Sequence, residues 1–110
     1  MSRNVNIYLE DIVSSCDKIS TYIAGLDSDS FKSDNKTVDA VVRNIEIIGE
    51  AASKVTEDVR NKNQDIEWKA IIGMRNILIH EYFGVDIDQV WLTATEEIPS
   101  LRNKVSKIFQ

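Results

Sequence analysis

Apolar residues recur every three and four positions along almost the whole chain. Val5, Tyr8, Leu9, Ile12, Cys16, Ile19, Ile23 and Leu26 form one stripe of about six turns, the spacing of a helix with one buried face. Gly25 and the run Asp27-Ser28-Asp29-Ser30 are expected to stop that helix, because such residues compete for backbone hydrogen bonds in turns. A second stripe runs through Val38, Val41, Val42, Ile45, Ile48, Gly49, Ala52 and Val55. Gly49 within it weakens the helix by about 1 kcal/mol but lets a neighbour approach closely.

The polar side of this second helix carries Arg43, Glu46, Glu50 and Lys54, with Glu46 and Glu50 one helical turn apart, as are Glu50 and Lys54. Thr56 is placed to cap a short helix that opens with Glu57-Asp58, and 61–65 reads as a loop. A third long stripe, Trp68, Ile71, Ile72, Arg75, Leu78, Ile79 and Tyr82, ends at Gly84. Asp86 then reads as an N-cap with Gln89 as its capping-box partner. The last stripe, from Ile87 to Ile108, keeps its phase across Pro99, so a kinked helix or two nearly coaxial helices are expected there. No alternating strand pattern occurs. The expected architecture is all-α, an up-and-down bundle of four to five helices, with residues 1–110 as a single domain.

Composition narrows the function. At 110 residues, 43% of them hydrophobic, the chain builds one modest core, and a domain of this size often makes its catalytic cleft between subunits. No apolar run approaches the roughly 18 residues of a membrane span, so a soluble cytoplasmic protein without membrane contact is expected. Cys16 lies on an apolar stripe and reads as a small buried hydrophobe, and Trp68 and Trp91 read as core residues. The formal net charge of −5 opposes nonspecific affinity for nucleic acid, so any RNA site must be a local basic pocket on an acidic body.

One segment departs from this order. Arg75 interrupts an apolar stripe, where a charge needs a partner. It can reach the rim of the core, pair with Glu46 or Glu50, or face a subunit seam. His80 is the single histidine, and Asn76 lies one turn before it, able to set the imidazole tautomer. Five residues advance a helix by about 500°, so Arg75 and His80 diverge by about 140°. They meet at one phosphate only if the helix frays near Gly84 or if a second chain supplies half of the groups.

Arg75, His80 and Tyr82, spaced as Arg-x-x-x-x-His-x-Tyr with Asn76 after the arginine, resemble the signature of HEPN domains of the HepT-like subgroup. The segment Arg43-Asn44-Ile45-Glu46-Ile47-Ile48-Gly49-Glu50-Ala51 is similar to the helix preceding that motif, and Trp68-Lys69-Ala70-Ile71-Ile72-Gly73-Met74 resembles its lead-in. The resemblance implies a homodimeric helical ribonuclease that cuts RNA without metal or other cofactor in a cleft at the dimer interface. It also implies a toxin whose partner, a minimal nucleotidyltransferase antitoxin, silences it by transferring AMP to Tyr82, with larger toxin–antitoxin assemblies open.

On this footing His80 is assigned as general acid or base, a role that the ordinary histidine pKa near 6.5 permits. Arg75 is assigned to the phosphate, Asn76 to orienting His80 or to a phosphate oxygen, and Glu46 and Glu50 to supporting positions. Two other readings stay open: a noncatalytic module that binds a nucleotidyltransferase and presents substrate or nucleotide to it, and a plain helical dimerisation domain.

Overall fold

The structure is a computed structural model that describes residues 4–80 and 86–109, the side chains of residues 75–80 excepted. Among the described residues every regular element is helical. Helix α1 spans Val5–Ile23, and the Asn4 side chain accepts from the Asn6 N–H at 2.9 Å to satisfy one free donor of its first turn. The chain turns at Gly25, whose φ of 80° is in the left-handed region that a residue without Cβ enters freely. Leu26, the last residue of the first stripe, therefore packs on the core from the turn and not from the helix.

The next segment corrects the sequence expectation. Asp27 to Ser30 do not simply end a helix, because Asp27 caps a new one: its side chain accepts from the Ser30 N–H at 2.8 Å and opens α2, Ser28–Lys32. Five residues are too few to display a period, and this helix is held by what it delivers. Phe31 is fully buried and lies 5.1 Å from the Trp91 ring, tilted by 39°. Such offset aromatic contacts add to plain burial. An ion pair between Lys32 and Asp88 ties the same two elements at the surface.

Helix α3, Asn35–Ser53, is capped by Asp34, which accepts from the backbone and the hydroxyl of Thr37 at 3.1 and 2.7 Å. It is the central element, packed against α1 on one flank and α5 on the other, with contacts to α2 and α6. Val41, Ile45, Ile48 and Ala52 are buried along it, and Gly49 is buried in the same stripe. Asn44 is buried too. Its amide donates to the Ala40 carbonyl at 2.9 Å, and its side-chain oxygen has no partner among the described residues.

Helix α4 covers Glu57–Lys62. Thr56 occupies the N-cap position as expected, but its hydroxyl makes no capping bond. The strong local contact comes from Arg60. Its guanidinium folds back to donate to the carbonyls of Val55 at 3.0 Å, Ala52 at 2.9 Å and Ser53 at 3.1 Å. These carbonyls lie in the last turn of α3 and just after it, the Ala52 carbonyl also accepting from the Val55 N–H at 3.2 Å, and a cation beside them complements the negative end of that helix. The Trp68 indole donates to the Asn63 carbonyl at 3.1 Å and anchors the start of α5, Trp68–His80.

Asp86 caps α6, Ile87–Leu92, accepting from Asp88 and Gln89 N–H at 3.0 and 3.3 Å. The expected capping box is only half made, because the Gln89 side chain points forward to the Thr93 hydroxyl at 3.5 Å. Between α6 and α7, Ile98–Ile108, lies a π-helical turn, Thr93–Glu97. Pro99 in the first turn of α7 has no N–H to give, so the carbonyl four residues back goes unpaired in a regular helix. Widening the preceding turn accommodates this: Ile98 N–H reaches back five residues to the Thr93 carbonyl, and the Thr95 hydroxyl donates to the Trp91 carbonyl at 2.8 Å. The expected kink at Pro99 is thus spread over one wide turn. Helix α7 packs on α1, where Arg102 meets Asp17 at 3.0 Å.

Cys16 is fully buried, and its thiol pKa is pushed up to about 12, mainly by burial and then by the Asp17 charge, with Arg102 pulling the other way. The neutral thiol is what the core holds, so its contribution is intact below the unfolded-state value of 9.0 and is lost as pH rises from there toward about 12. Native protein should resist alkylation at about pH 8 and react once urea unfolds it. Phe31→Ala should cost about 3–5 kcal/mol in a urea titration. Arg60→Ala should cost about 1–3 kcal/mol, since three carbonyls lose a charged donor.

Candidate active site

The last two turns of α5 carry the residues singled out in the sequence. The helix continues without interruption through His80, so positions 75 and 80 stay about 140° apart around its axis. Asn76 and His80, four apart, share one face. Fraying does not begin before His80; the expected helix end at Gly84 and Tyr82, the expected AMP acceptor, lie outside the described residues, as do the side chains of Arg75, Asn76 and His80.

Helix α5 packs chiefly on α3 among the described residues. Ala70 is exposed, and Ile71, Ile72 and Met74 are half-buried against the core; Ala70, Ile71 and Met74 border the space between α5 and α7, together with Ile45 and Ile48 of α3.

Glu46 and Glu50 of α3 have local partners. Arg43 Nη1 lies 3.4 Å from Glu46 Oε2, and Lys54 Nζ lies 3.5 Å from Glu50 Oε1. Glu46 is the more sheltered of the two, its side chain 24% exposed against 47% for Glu50. Arg75, the partner expected for these acids, has its side chain outside the described residues. Together with Tyr8 and Asp11 of α1, these four charged residues line a shallow groove of about 280 Å³. The Lys54 ammonium stands 5.8 Å from the centre of the Tyr8 ring, within reach of a cation–π contact. Tyr8 and Asp11 were not foreseen as site residues, since periodicity assigns Tyr8 to the apolar stripe of α1 and only the α1–α3 packing brings them beside Glu46.

Residues 12–108 match the family model described as "Ribonuclease HepT-like". The chain belongs to the HepT-like ribonuclease family. A protein of Thermococcus cleftensis, provisionally named ribonuclease HepT, is 40% identical over 108 residues, 98% of each chain. A provisionally named RNase of Caldanaerobacter subterraneus subsp. tengcongensis is 41% identical over 103 residues, 94% of this chain and 92% of that one. A third relative, from Methanocaldococcus jannaschii, is named as a gamma-glutamylcyclotransferase joined to an RNase; it is 39% identical across 100% of this chain, which spans 50% of that longer protein. No solved structure matches significantly. The HepT-like match runs from α1 to α7, includes the Arg75–Tyr82 motif and supports ribonuclease activity.

The ion pairs of α3 are open to water, where such pairs contribute little. Arg43→Ala and Lys54→Ala should each change unfolding free energy by less than about 1 kcal/mol. A larger loss in urea titration would show that this charged face is structural.

Proposed function

We propose that this chain is a metal-independent RNA endonuclease in which two copies together build each cleavage site. The observation that carries this is the unbroken helix through His80 in a member of the HepT-like family. With Arg75 and His80 on diverging sides of α5, a phosphate held by one subunit's guanidinium is best served by an imidazole from the other.

The reaction needs no nucleophile from the protein. The ribose 2′-oxygen gives up its proton and attacks the adjacent phosphorus; the bond from phosphorus to the 5′-oxygen breaks, and that oxygen takes a proton. One histidine side chain can accept the first proton or deliver the second. Arg75 stabilises the charge growing on the phosphate oxygens through its planar fork of donors. Asn76, on the His80 face, orients the imidazole or donates to a phosphate oxygen. Glu46 and Glu50 support Arg75 from α3.

In this reading residues 1–110 act as a single domain, the toxin of a toxin–antitoxin pair that works in the cytoplasm. Its partner is a nucleotidyltransferase that transfers AMP to the Tyr82 hydroxyl. That modification adds bulk and a negative phosphate where an RNA phosphate must bind, and both oppose substrate. The acidic balance, −5 overall, favours one other reading, a noncatalytic module that presents substrate or nucleotide to such a transferase.

Incubation with total RNA separates the two. Chelator-resistant cleavage is expected from the wild-type protein. His80→Ala should lower cleavage by about 10²–10⁴-fold while helical content and oligomeric state hold. Equal cleavage by His80→Ala would end the nuclease assignment. Tyr82→Phe should keep cleaving RNA yet escape silencing by the transferase and ATP.

A further inference from the structure

A second groove, of about 280 Å³, opens where α5 and α7 stand apart above α3. Its apolar lining comes in pairs one helical turn apart: Ile45 and Ile48 of α3, Ile71 and Met74 of α5, Ile98 and Leu101 of α7. Three acids line the same groove: Glu67 just before α5, and Glu96 and Glu97 in the π-helical turn. All three are exposed, and none has an ion pair or side-chain hydrogen bond among the described residues. Among the described residues the single base lining the groove, Lys104, donates to the Asp65 carbonyl at 2.9 Å.

We infer that this groove docks a cationic amphipathic helix from a protein partner, with apolar side chains at i, i+3 or i+4 seated between α5 and α7 and lysine or arginine against Glu67, Glu96 and Glu97. The turn-spaced apolar pairs match the spacing of a helix stripe laid into a groove. Charge decides among occupants. RNA or an anionic lipid would bring phosphates to three unpaired carboxylates, and a second copy of this chain, itself −5, would bring acids to acids. A basic flank gains there instead, since like charges juxtaposed at an interface cost several kcal/mol and opposite ones steer the encounter. The π-helical turn gives Glu96 and Glu97 their place: it widens the backbone just before Pro99. This inference is independent of whether Arg75 and His80 act on RNA.

The probe is a labelled synthetic helix of about 16 residues with a leucine stripe flanked by lysines, and a twin with glutamates in place of the lysines. Fluorescence anisotropy should show the lysine helix binding wild-type protein about tenfold or more tighter than it binds the double variant Glu96→Lys/Glu97→Lys. Glu10→Lys/Asp39→Lys, exposed and away from the groove, makes the same change in net charge and should bind like wild type. The glutamate helix should prefer the Glu96/Glu97 variant. Ala70→Trp, at an exposed position lining the groove, should block the lysine helix without loss of helical content. Equal weakening by both double variants would reduce the effect to overall charge and overturn the proposal. A dimeric wild type that Ala70→Trp makes monomeric in sedimentation would overturn it too, by giving the groove to a second copy.

Discussion

Helix α3 must be hidden on two flanks at once, and the rest of the bundle is arranged around that need. Its stripe from Val41 to Ala52 meets α1 on one side and α5 on the other, with Gly49 buried in the same stripe. What remains of α3 for water is a narrow polar ridge, and the ridge holds Arg43, Glu46, Glu50 and Lys54. The ends of α3 are secured by groups from outside the helix, Asp34 before it and Arg60 after it. The charged groove beside Tyr8 is therefore a direct result of how α3 is buried.

Because α1 and α3 complete one side of the core, α5 is left as an edge helix. The helix runs unbroken through His80, which keeps positions 75 and 80 about 140° apart, and the proposed two-copy site rests on that geometry.

Charge is distributed to match. The chain is acidic overall; Glu67, Glu96 and Glu97 line the α5–α7 groove, while Glu46 and Glu50 of α3 lie beside Arg43 and Lys54. Cys16 takes no part in this, because burial holds its thiol neutral well beyond physiological pH.

Periodicity alone specified the long helices, the core stripes and the Asp86 cap, and the Arg75–Tyr82 spacing pointed to the family. All of these depend on residues within a turn or two of one another, where hydrogen-bond geometry and the 3.6-residue repeat act locally. Phe31 was missed because α2 is too short to show a period, and it is a helix only because the Trp91 ring and the core hold it there. Arg60 as the closing group of α3, the forward turn of Gln89, and the wide turn before Pro99 were also settled by folding. Each depends on which carbonyl or hydroxyl is left unpaired once the helices have formed. The two grooves depend on how far apart neighbouring helices finally stand, a distance set by packing across the molecule and written in no short stretch of residues.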